Sequence, residues 1–236
     1  MALLLNIDTA IETAIISISD NEKVIASVTH NNQKDHASFL QPAIKNLLQT
    51  CNKKINELNA VAVTSGPGSY TGLRVGMASA KGLCYALHIP MITINTLEVI
   101  ALSAVKKIGD ERGFYCPLID AKRMEVFTAV YDHTLSEIIK PCSIILDGES
   151  FRDLLLKNKI YFSGSGASKL KNILDNKSAE FIGTESSAFS MAALSYKNYV
   201  AQHFANIASV SPLYLKEFYT PNPLAKPVSI FFLISA

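Results

Sequence analysis

Between residues 60 and 107 the sequence alternates short buried strands with longer amphipathic helices. It predicts a strand at Ala60–Thr64, a glycine-rich turn, a helix to about His88, a strand at Ile89–Ile94 and a helix at Leu97–Lys107. Strand–helix–strand–helix order is typical of parallel strand pairing, because parallel neighbours need a crossover connection and that connection is usually a helix. This succession therefore makes an α/β fold the expectation for the chain.

The N-terminal residues are predicted to form a three-stranded meander followed by a helix. A buried strand at Ala2–Ile7 ends in Asp8, and β-branched runs at 13–19 and 23–29 follow it, separated by a turn signal. At His36–Cys51, apolar residues recur at three- and four-residue spacing, which predicts a helix with one broad apolar face.

The second half repeats the opening of the first. After a polar, glycine-containing segment at 108–113, a predicted strand at Cys116–Ile119 ends in Asp120 and is followed by a hairpin partner at Glu125–Tyr131. A helix at 148–157, a strand at 160–162 and a helix at 188–204 are predicted beyond it. This weak internal duplication predicts two similar α/β halves with a cleft between them.

We expect an N-terminal domain at 1–107, a C-terminal domain at 113–216 and a tail at 217–236. For the apolar end of that tail, an added strand, a partner contact and a disordered extension remain alternatives.

Composition limits the possible functions. The 236 residues carry a net charge of +2, and only four of the 22 basic residues are Arg. No dense basic cluster appears in the sequence, so independent tight binding of nucleic acid is not expected. The four cysteines are scattered, which favours free thiols in a reducing compartment. Without a signal-peptide pattern or a long apolar stretch, the expectation is a soluble, cytoplasmic protein away from membranes.

Three turns after strands are candidates for nucleotide contact. Glycines there allow close backbone approach to an anion, and a helix N-terminus favours phosphate. An ordinary tight turn explains each one separately, and no Walker loop is present. The predicted contacts are Asp8, Thr9, Gly66, Gly68, Thr71, Gly164 and Gly166.

Catalytic and metal motifs are missing from the sequence. No two histidines stand at i and i+4, and neither H-E-x-x-H nor G-x-S-x-G occurs. A peptidase is therefore the least favoured interpretation, whereas the expectation of no metal site, no cofactor and no catalytic residues is what the family resemblance carried by the segment from Ser65 to Gly76 implies.

Two helices are predicted to offer faces to a partner. Gly72, Gly76 and Ala80 stand at four-residue steps and lie on one side of their helix, where a second helix could approach closely. The alternative is that this stripe packs on the chain's own sheet. The predicted interface residues are Phe39, Leu40, Ile44, Leu47, Leu73, Gly76, Met77 and Ala80.

The segment Ser65-Gly-Pro-Gly-Ser-Tyr-Thr-Gly-Leu-Arg-Val-Gly76 resembles the TsaB (YeaZ) family. Further matching segments are the opening Leu-Asn-Ile-Asp-Thr9, the start of a helix at His36 with Pro42, Ile89–Glu98, Ile119–Phe127 and Pro212-Leu-Tyr-Leu215. The resemblance covers roughly residues 2–216 and implies the actin/sugar-kinase/Hsp70-like (ASKHA) fold.

In the paralogous, catalytic TsaD family, a strand leads into Asn-His-x-x-x-His, whose histidines bind the metal. This chain has Asn95-Thr-Leu-Glu-Val-Ile100 there, so Thr96 and Ile100 stand where the histidines would be. The comparison implies a chain that has the fold without the active site.

The resemblance implies a non-catalytic scaffold, or dimerisation, subunit in the threonylcarbamoylation of adenosine in tRNA. Its implied partners are a TsaD-like enzyme, bound through the N-terminal half, and a TsaE-like ATPase, with tRNA reached indirectly through the complex. A homodimer is possible when the chain is alone. The alternative is a small-molecule kinase that uses Asp8 and the glycine turns with Mg²⁺.

Overall fold

The computed structural model of the chain describes residues 1–216. The first sheet is built from five strands, which are β1 Leu3–Asp8, β2 Ala14–Asp20, β3 Lys23–His30, β4 Ala60–Gly66 and β5 Met91–Asn95. The helices of this half are α1 His36–Thr50, α2 Tyr70–Leu87 and α3 Thr96–Ile108. These elements confirm the predicted meander and the α/β alternation after it.

The second half forms a second five-stranded sheet with shorter helices. Its strands are β6 Phe114–Asp120, β7 Glu125–Tyr131, β8 Glu137–Ile145, β9 Ile160–Ser163 and β10 Ala179–Phe181. Its helices are α4 Arg152–Leu155, α5 Ala167–Lys171 and α6 Ala188–Val200. No helix within residues 1–216 is long and apolar enough to cross a lipid bilayer.

The two sheets have the same topology. The first has the order β3-β2-β1-β4-β5 and the second, read from its other edge, has β8-β7-β6-β9-β10. In each half the first three strands pair antiparallel and the last two add in parallel. The internal duplication is therefore present in the fold, and the two halves have the ASKHA architecture that the resemblance implied.

Helices cover both faces of the first sheet. On one face α1 and α2 bury apolar side chains against Leu5, Ile7 and Val63. On the other face α6, which comes from the far end of the chain, inserts Met191 and Leu194 beside Leu4 and Ile92. Each such fully buried side chain contributes about 1.5–3 kcal/mol relative to exposure, so α6 is a structural part of the first sheet's core.

After α6, residues 205–216 form a strap that returns along the first half. The Ala205 backbone N–H donates to the Met91 carbonyl oxygen (2.8 Å), and that of Leu213 donates to the Ser65 carbonyl oxygen (2.7 Å). Near the end of this C-terminal strap, Lys216 forms an ion pair with Glu125 of the second half. The strap therefore contacts both halves of the molecule.

Some predicted elements need correction. The helix predicted at 148–157 is reduced to the four residues of α4, and β8 and β10 were not predicted. The domain bounds at 1–107 and 113–216 stay a proposal. Helix α6 belongs to the second domain by its position in the sequence, but it packs on the first sheet. The tail at 217–236 lies outside the described residues.

Candidate functional site

Asp8 lies at the carboxyl end of β1 and is almost completely buried, with 1% of its surface exposed. Its Oδ1 accepts hydrogen bonds from the Ala10 backbone N–H (3.2 Å) and the Thr64 hydroxyl (2.9 Å). Its Oδ2 accepts one from the Ser186 hydroxyl. Three donors of the chain itself thus occupy the carboxylate that the sequence assigned to phosphate or Mg²⁺.

Burial raises the pKa of Asp8 above its ordinary value, against the lowering effect of the hydrogen bonds from Ser186, Ala10 and Thr64. Because the folded state holds this proton more tightly than the unfolded chain, Asp8 makes the protein less stable as pH rises from about 4 through the raised pKa.

We expect Asp8→Asn to remove this pH dependence while keeping a side chain of the same shape. The stability difference between parent and variant should change by up to about 1.4 kcal/mol per pH unit in that window, because parent stability falls there. Urea unfolding of both proteins at several pH values from 4 upward measures it. A difference that stays constant across the range would contradict the assignment.

The Gly66–Gly68 turn is filled by the chain's own backbone. A Cβ at Gly66, which has φ +115°, would lie 2.7 Å from the Leu213 carbonyl oxygen of the strap. At Gly68 a Cβ would lie less than 3.0 Å from the Ala10 carbonyl oxygen, to which the Ser69 backbone N–H donates (2.6 Å). These glycines are therefore required by close packing of the chain on itself.

The N-terminus of α2, next to this turn, is also held by hydrogen bonds within the chain. Ser69 is the N-cap of α2 and accepts from the Gly72 backbone N–H (3.3 Å). The buried Thr9 hydroxyl donates to the Gly72 carbonyl oxygen (2.8 Å), whereas Thr71 is exposed. Of the predicted contacts in this half, the structure brings Asp8, Thr9 and Gly68 together around the β1 turn and leaves Thr71 outside.

Asp120 stands in the second sheet where Asp8 stands in the first, but its surroundings differ. Its Oδ1 accepts from the Lys169 amine at 2.8 Å. Burial acts to raise the pKa of Asp120, and the hydrogen bond and charge of Lys169 outweigh it, so the pKa lies below its ordinary value. A carboxylate already paired with a cation is a poor ligand for Mg²⁺. The pairing with Lys169 also does not favour Asp120 as the general base of a kinase.

Gly164 and Gly166 pack on the second sheet. A Cβ at Gly164 would lie 2.5 Å from the Leu118 carbonyl oxygen, and one at Gly166 would lie 2.8 Å from Val126. The Gly164 backbone N–H donates to the Thr184 carbonyl oxygen (2.8 Å), and two residues later Ser186 binds Asp8. Residues 184–186 thus connect the two predicted nucleotide contacts, a link that no sequence pattern indicated.

The two positions that the resemblance matched to metal-binding histidines are part of the core. Thr96 begins α3 and is 0% exposed, and Ile100, one turn later, is 1% exposed. Ile100 has no atom that can ligate a metal, and the Thr96 hydroxyl is a single neutral oxygen. Within residues 1–216, no three His, Cys, Asp or Glu side chains are placed to hold a metal ion.

The predicted interface residues mostly face inward. Leu40, Ile44, Leu47, Leu73, Gly76, Met77 and Ala80 are buried in this chain, and Phe39 is half-buried. The apolar stripes of α1 and α2 pack against β1, β2 and β4 of their own sheet. This agrees with the alternative interpretation, in which the stripe covers the chain's own sheet and not a partner. These seven buried residues are therefore not available to a partner, and a contact through α1 and α2 would use the opposite faces.

The outer face of α2 has its own small-residue stripe. Ala78 and Gly82 are exposed four residues apart, and a Cβ added at Gly82 would meet nothing within 4 Å. Tyr85 is 77% exposed beside them. Small side chains four residues apart let a second helix approach closely, and an exposed tyrosine is typical of interfaces. The same four-residue spacing in the sequence could have identified this stripe.

Comparisons with known proteins agree with the fold. The family model described as "TsaD: tRNA N6-adenosine threonylcarbamoyltransferase" matches residues 23–218. The tRNA threonylcarbamoyladenosine biosynthesis protein TsaB of Bacillus subtilis (strain 168) is 31% identical over 186 residues, which are 77% of this chain and 80% of the relative.

Two solved structures are similar to this one. A Pseudomonas aeruginosa protein with similarity to peptidase YeaZ has a TM-score of 0.81 at 20% identity, over 92% of this chain and 100% of that one. The activator of 2-hydroxyisocaproyl-CoA dehydratase from Clostridium difficile, with bound ADPNP, has a TM-score of 0.50 at 9% identity, covering 90% and 99%.

The duplicated sheets, each with a strand-end aspartate and a glycine turn, give this α/β protein the actin/sugar-kinase/Hsp70-like fold. Within that class the family model extends over residues 23–218, and the relative from Bacillus subtilis matches 77% of this chain. The chain belongs to the TsaB (YeaZ) family.

Proposed function

We propose that this chain takes part in tRNA threonylcarbamoyladenosine synthesis as a non-catalytic scaffold subunit in the cytoplasm. Its partners are a TsaD-like enzyme and a TsaE-like ATPase, and it reaches tRNA as part of the complex. The observation that carries the proposal is that Thr96 and Ile100, which the resemblance matches to metal-binding histidines, are a hydroxyl and an aliphatic side chain buried in the core. The curated relatives are named tRNA threonylcarbamoyladenosine biosynthesis proteins, and this is the support for placing the chain in that pathway.

The environment of Asp8 also supports a non-catalytic role. Three internal donors occupy its carboxylate, and burial raises its pKa, which opposes the charged form that Mg²⁺ needs. The glycine turns are filled by carbonyl oxygens of Leu213, Ala10 and Leu118. These contacts weigh against the alternative of a small-molecule kinase.

For the partner contact we propose the outer face of α2 with the neighbouring exposed side of α1. The two helices are joined at their surface by a hydrogen bond from the Gln41 amide to the Ser79 hydroxyl (3.2 Å), so they offer one continuous surface. When the chain is alone, the same surface is suited to a homodimer, because a twofold interface uses the same patch on both subunits.

Reconstitution tests the proposal. The TsaD-like and TsaE-like proteins of the same organism, a tRNA transcript, threonylcarbamoyl-adenylate and ATP are combined with and without this chain. The threonylcarbamoyl-adenylate carries the label in its threonine group, and transfer of this label to tRNA, with release of AMP, is expected only when the chain is present, because the enzyme lacks its partner surface otherwise. Heat-denatured chain is the control.

Two results would contradict the proposal. Equal incorporation without the chain would show that it is not a required subunit. Rapid ATP hydrolysis or phosphate transfer by the purified chain alone would show that it is an enzyme in its own right.

A further inference from the structure

An open apolar groove lies between the edge strand of the second sheet and the short helix α4. Strand β8 is the outermost strand on its side of the sheet. It is about 30 Å long, whereas the four residues of α4 span about 6 Å, so α4 cannot cover the whole face beside β8. The apolar lining of this β8–α4 groove consists of Ile139, Cys142, Ile144, Phe151 and Leu154.

The β8–α4 groove is partly open to solvent. Its volume is about 490 Å³, and its apolar lining residues are all half-buried. Ile145, at the end of β8, is 76% exposed, and Leu156, just after α4, is 72% exposed. Within residues 1–216 no further strand pairs with the outer edge of β8. Because exposed apolar edge strands favour aggregation, proteins usually cover them, so this surface has the character of a binding site.

The described part of the chain ends beside β8. Lys216 forms an ion pair with Glu125, and Glu125 is the register partner of Ile145, the last residue of β8. The sequence continues with residues 217–236. An extended chain over residues 217–227 spans at most about 36–40 Å, which is longer than β8 and leaves enough length to pass around its edge. The segment that follows can therefore reach the whole groove.

That segment has the composition of an occupant for an apolar groove. Val228-Ser-Ile-Phe-Phe-Leu-Ile-Ser-Ala236 carries six large apolar side chains and no charge, and leaving these side chains in water is unfavourable. Lys226 stands just before it, whereas the rim of the groove carries Asp153, an exposed carboxylate without an ion pair in the described residues. The groove and the segment are therefore complementary in both polarity and charge.

We propose that the β8–α4 groove binds the apolar segment 228–236 of the same chain, with Lys226 paired to Asp153. Of the alternatives that the sequence left open for the tail, this one keeps the apolar side chains within the molecule. The inference is independent of the proposed function, because it uses no residue of α1 or α2. The sequence alone does not show the groove, since its two sides are formed by separate elements.

Cys142 lies in the groove and provides the probe. Its rate of reaction with N-ethylmaleimide in the full chain, followed by peptide mass spectrometry, reports whether the groove is covered. Phe231→Asp/Phe232→Asp should raise this rate about tenfold, because charged side chains oppose burial in an apolar groove. Two thiols are controls in the same sample. Cys51, at the end of α1, should react at the same rate in both proteins, and Cys84, 1% exposed, should stay protected if the fold is intact.

A charge swap tests the rim contact. Asp153→Lys and Lys226→Asp should each raise the Cys142 rate about two- to fivefold, as expected for a surface ion pair. The double variant should return to the parent rate, because the pair forms again with its charges exchanged. The matched control is Glu22→Lys, with the same charge change in the β2–β3 turn of the first half, which should leave the rate unchanged.

Four results would overturn this inference. One is an unchanged Cys142 rate in Phe231→Asp/Phe232→Asp. Another is an equal rise at Cys51, which would show general loosening of the fold. A double charge-swap variant that reacts as fast as the single variants would exclude the pairing of Lys226 with Asp153. Protection of Cys142 that falls on dilution, with a dimer mass in light scattering, would show that a second copy fills the groove.

Discussion

Gly72→Ala is expected to lower the free energy of unfolding by about 3 kcal/mol. The new Cβ would lie less than 3.0 Å from the Thr9 carbonyl oxygen, which is backbone and is held at the end of β1. The Thr9 hydroxyl already donates to the Gly72 carbonyl oxygen (2.8 Å), so α2 cannot move away without breaking a buried hydrogen bond. Thermal unfolding should show a decrease in Tm of roughly 6–12 °C.

Gly82→Ala is the matched control on the same helix. Nothing lies within 4 Å of a Cβ at that position, and alanine is a better helix former than glycine. This variant should gain about 0.5–1 kcal/mol. A gain in both variants would show that α2 does not pack on the β1 turn as described.

Gly82→Gln is expected to abolish tRNA modification in the reconstituted system, by about a hundredfold or more, while the purified chain stays folded. A long side chain on the outer face of α2 would hold a partner helix away from Ala78, which is also exposed. Labelled-threonine incorporation, with Tm measured on the same sample, separates loss of assembly from loss of fold.

The control for this experiment is Gly183→Gln, in the loop between β10 and α6. That position is also exposed and has no neighbour within 4 Å of a new Cβ. It should leave activity unchanged. Full activity of Gly82→Gln would place the partner surface elsewhere.

Enlarging Gly76 or Ala80 would not test the partner surface, because both are buried against the chain's own sheet and the protein itself would be destabilised.

Periodicity predicted the elements of the first half well because each has a strong local signal. The β-branched runs that form β2 and β3 and the broad apolar face of α1 can be recognised without knowledge of their neighbours in the fold. By contrast, β8 contains Pro141 and exposed charged residues such as Glu137 and Lys140, so its pattern is weak. It forms a strand because β7 supplies the hydrogen-bonding edge.

The candidate site was harder to predict for a physical reason. A glycine is needed wherever backbone approaches closely, and the sequence does not say whether a ligand or the chain itself approaches. At Gly66 and Gly68 the approaching groups are the Leu213 and Ala10 carbonyl oxygens. Similarly, an apolar helix stripe indicates burial without identifying what covers it, which is why the inner face of α2 was assigned to a partner.

The position of α6 affects how the protein is made on the ribosome. The first sheet is complete in sequence at Asn95, but the helix that covers Leu4 and Ile92 begins only at Ala188. At typical elongation rates the intervening residues take about 5–20 s to synthesise, and during that time this apolar face of the nascent sheet lacks α6 and has only α3, through Val99, packed against it. We therefore expect the nascent N-terminal half to be a client of ribosome-associated chaperones, and a fragment that ends before α6 to aggregate rather than fold.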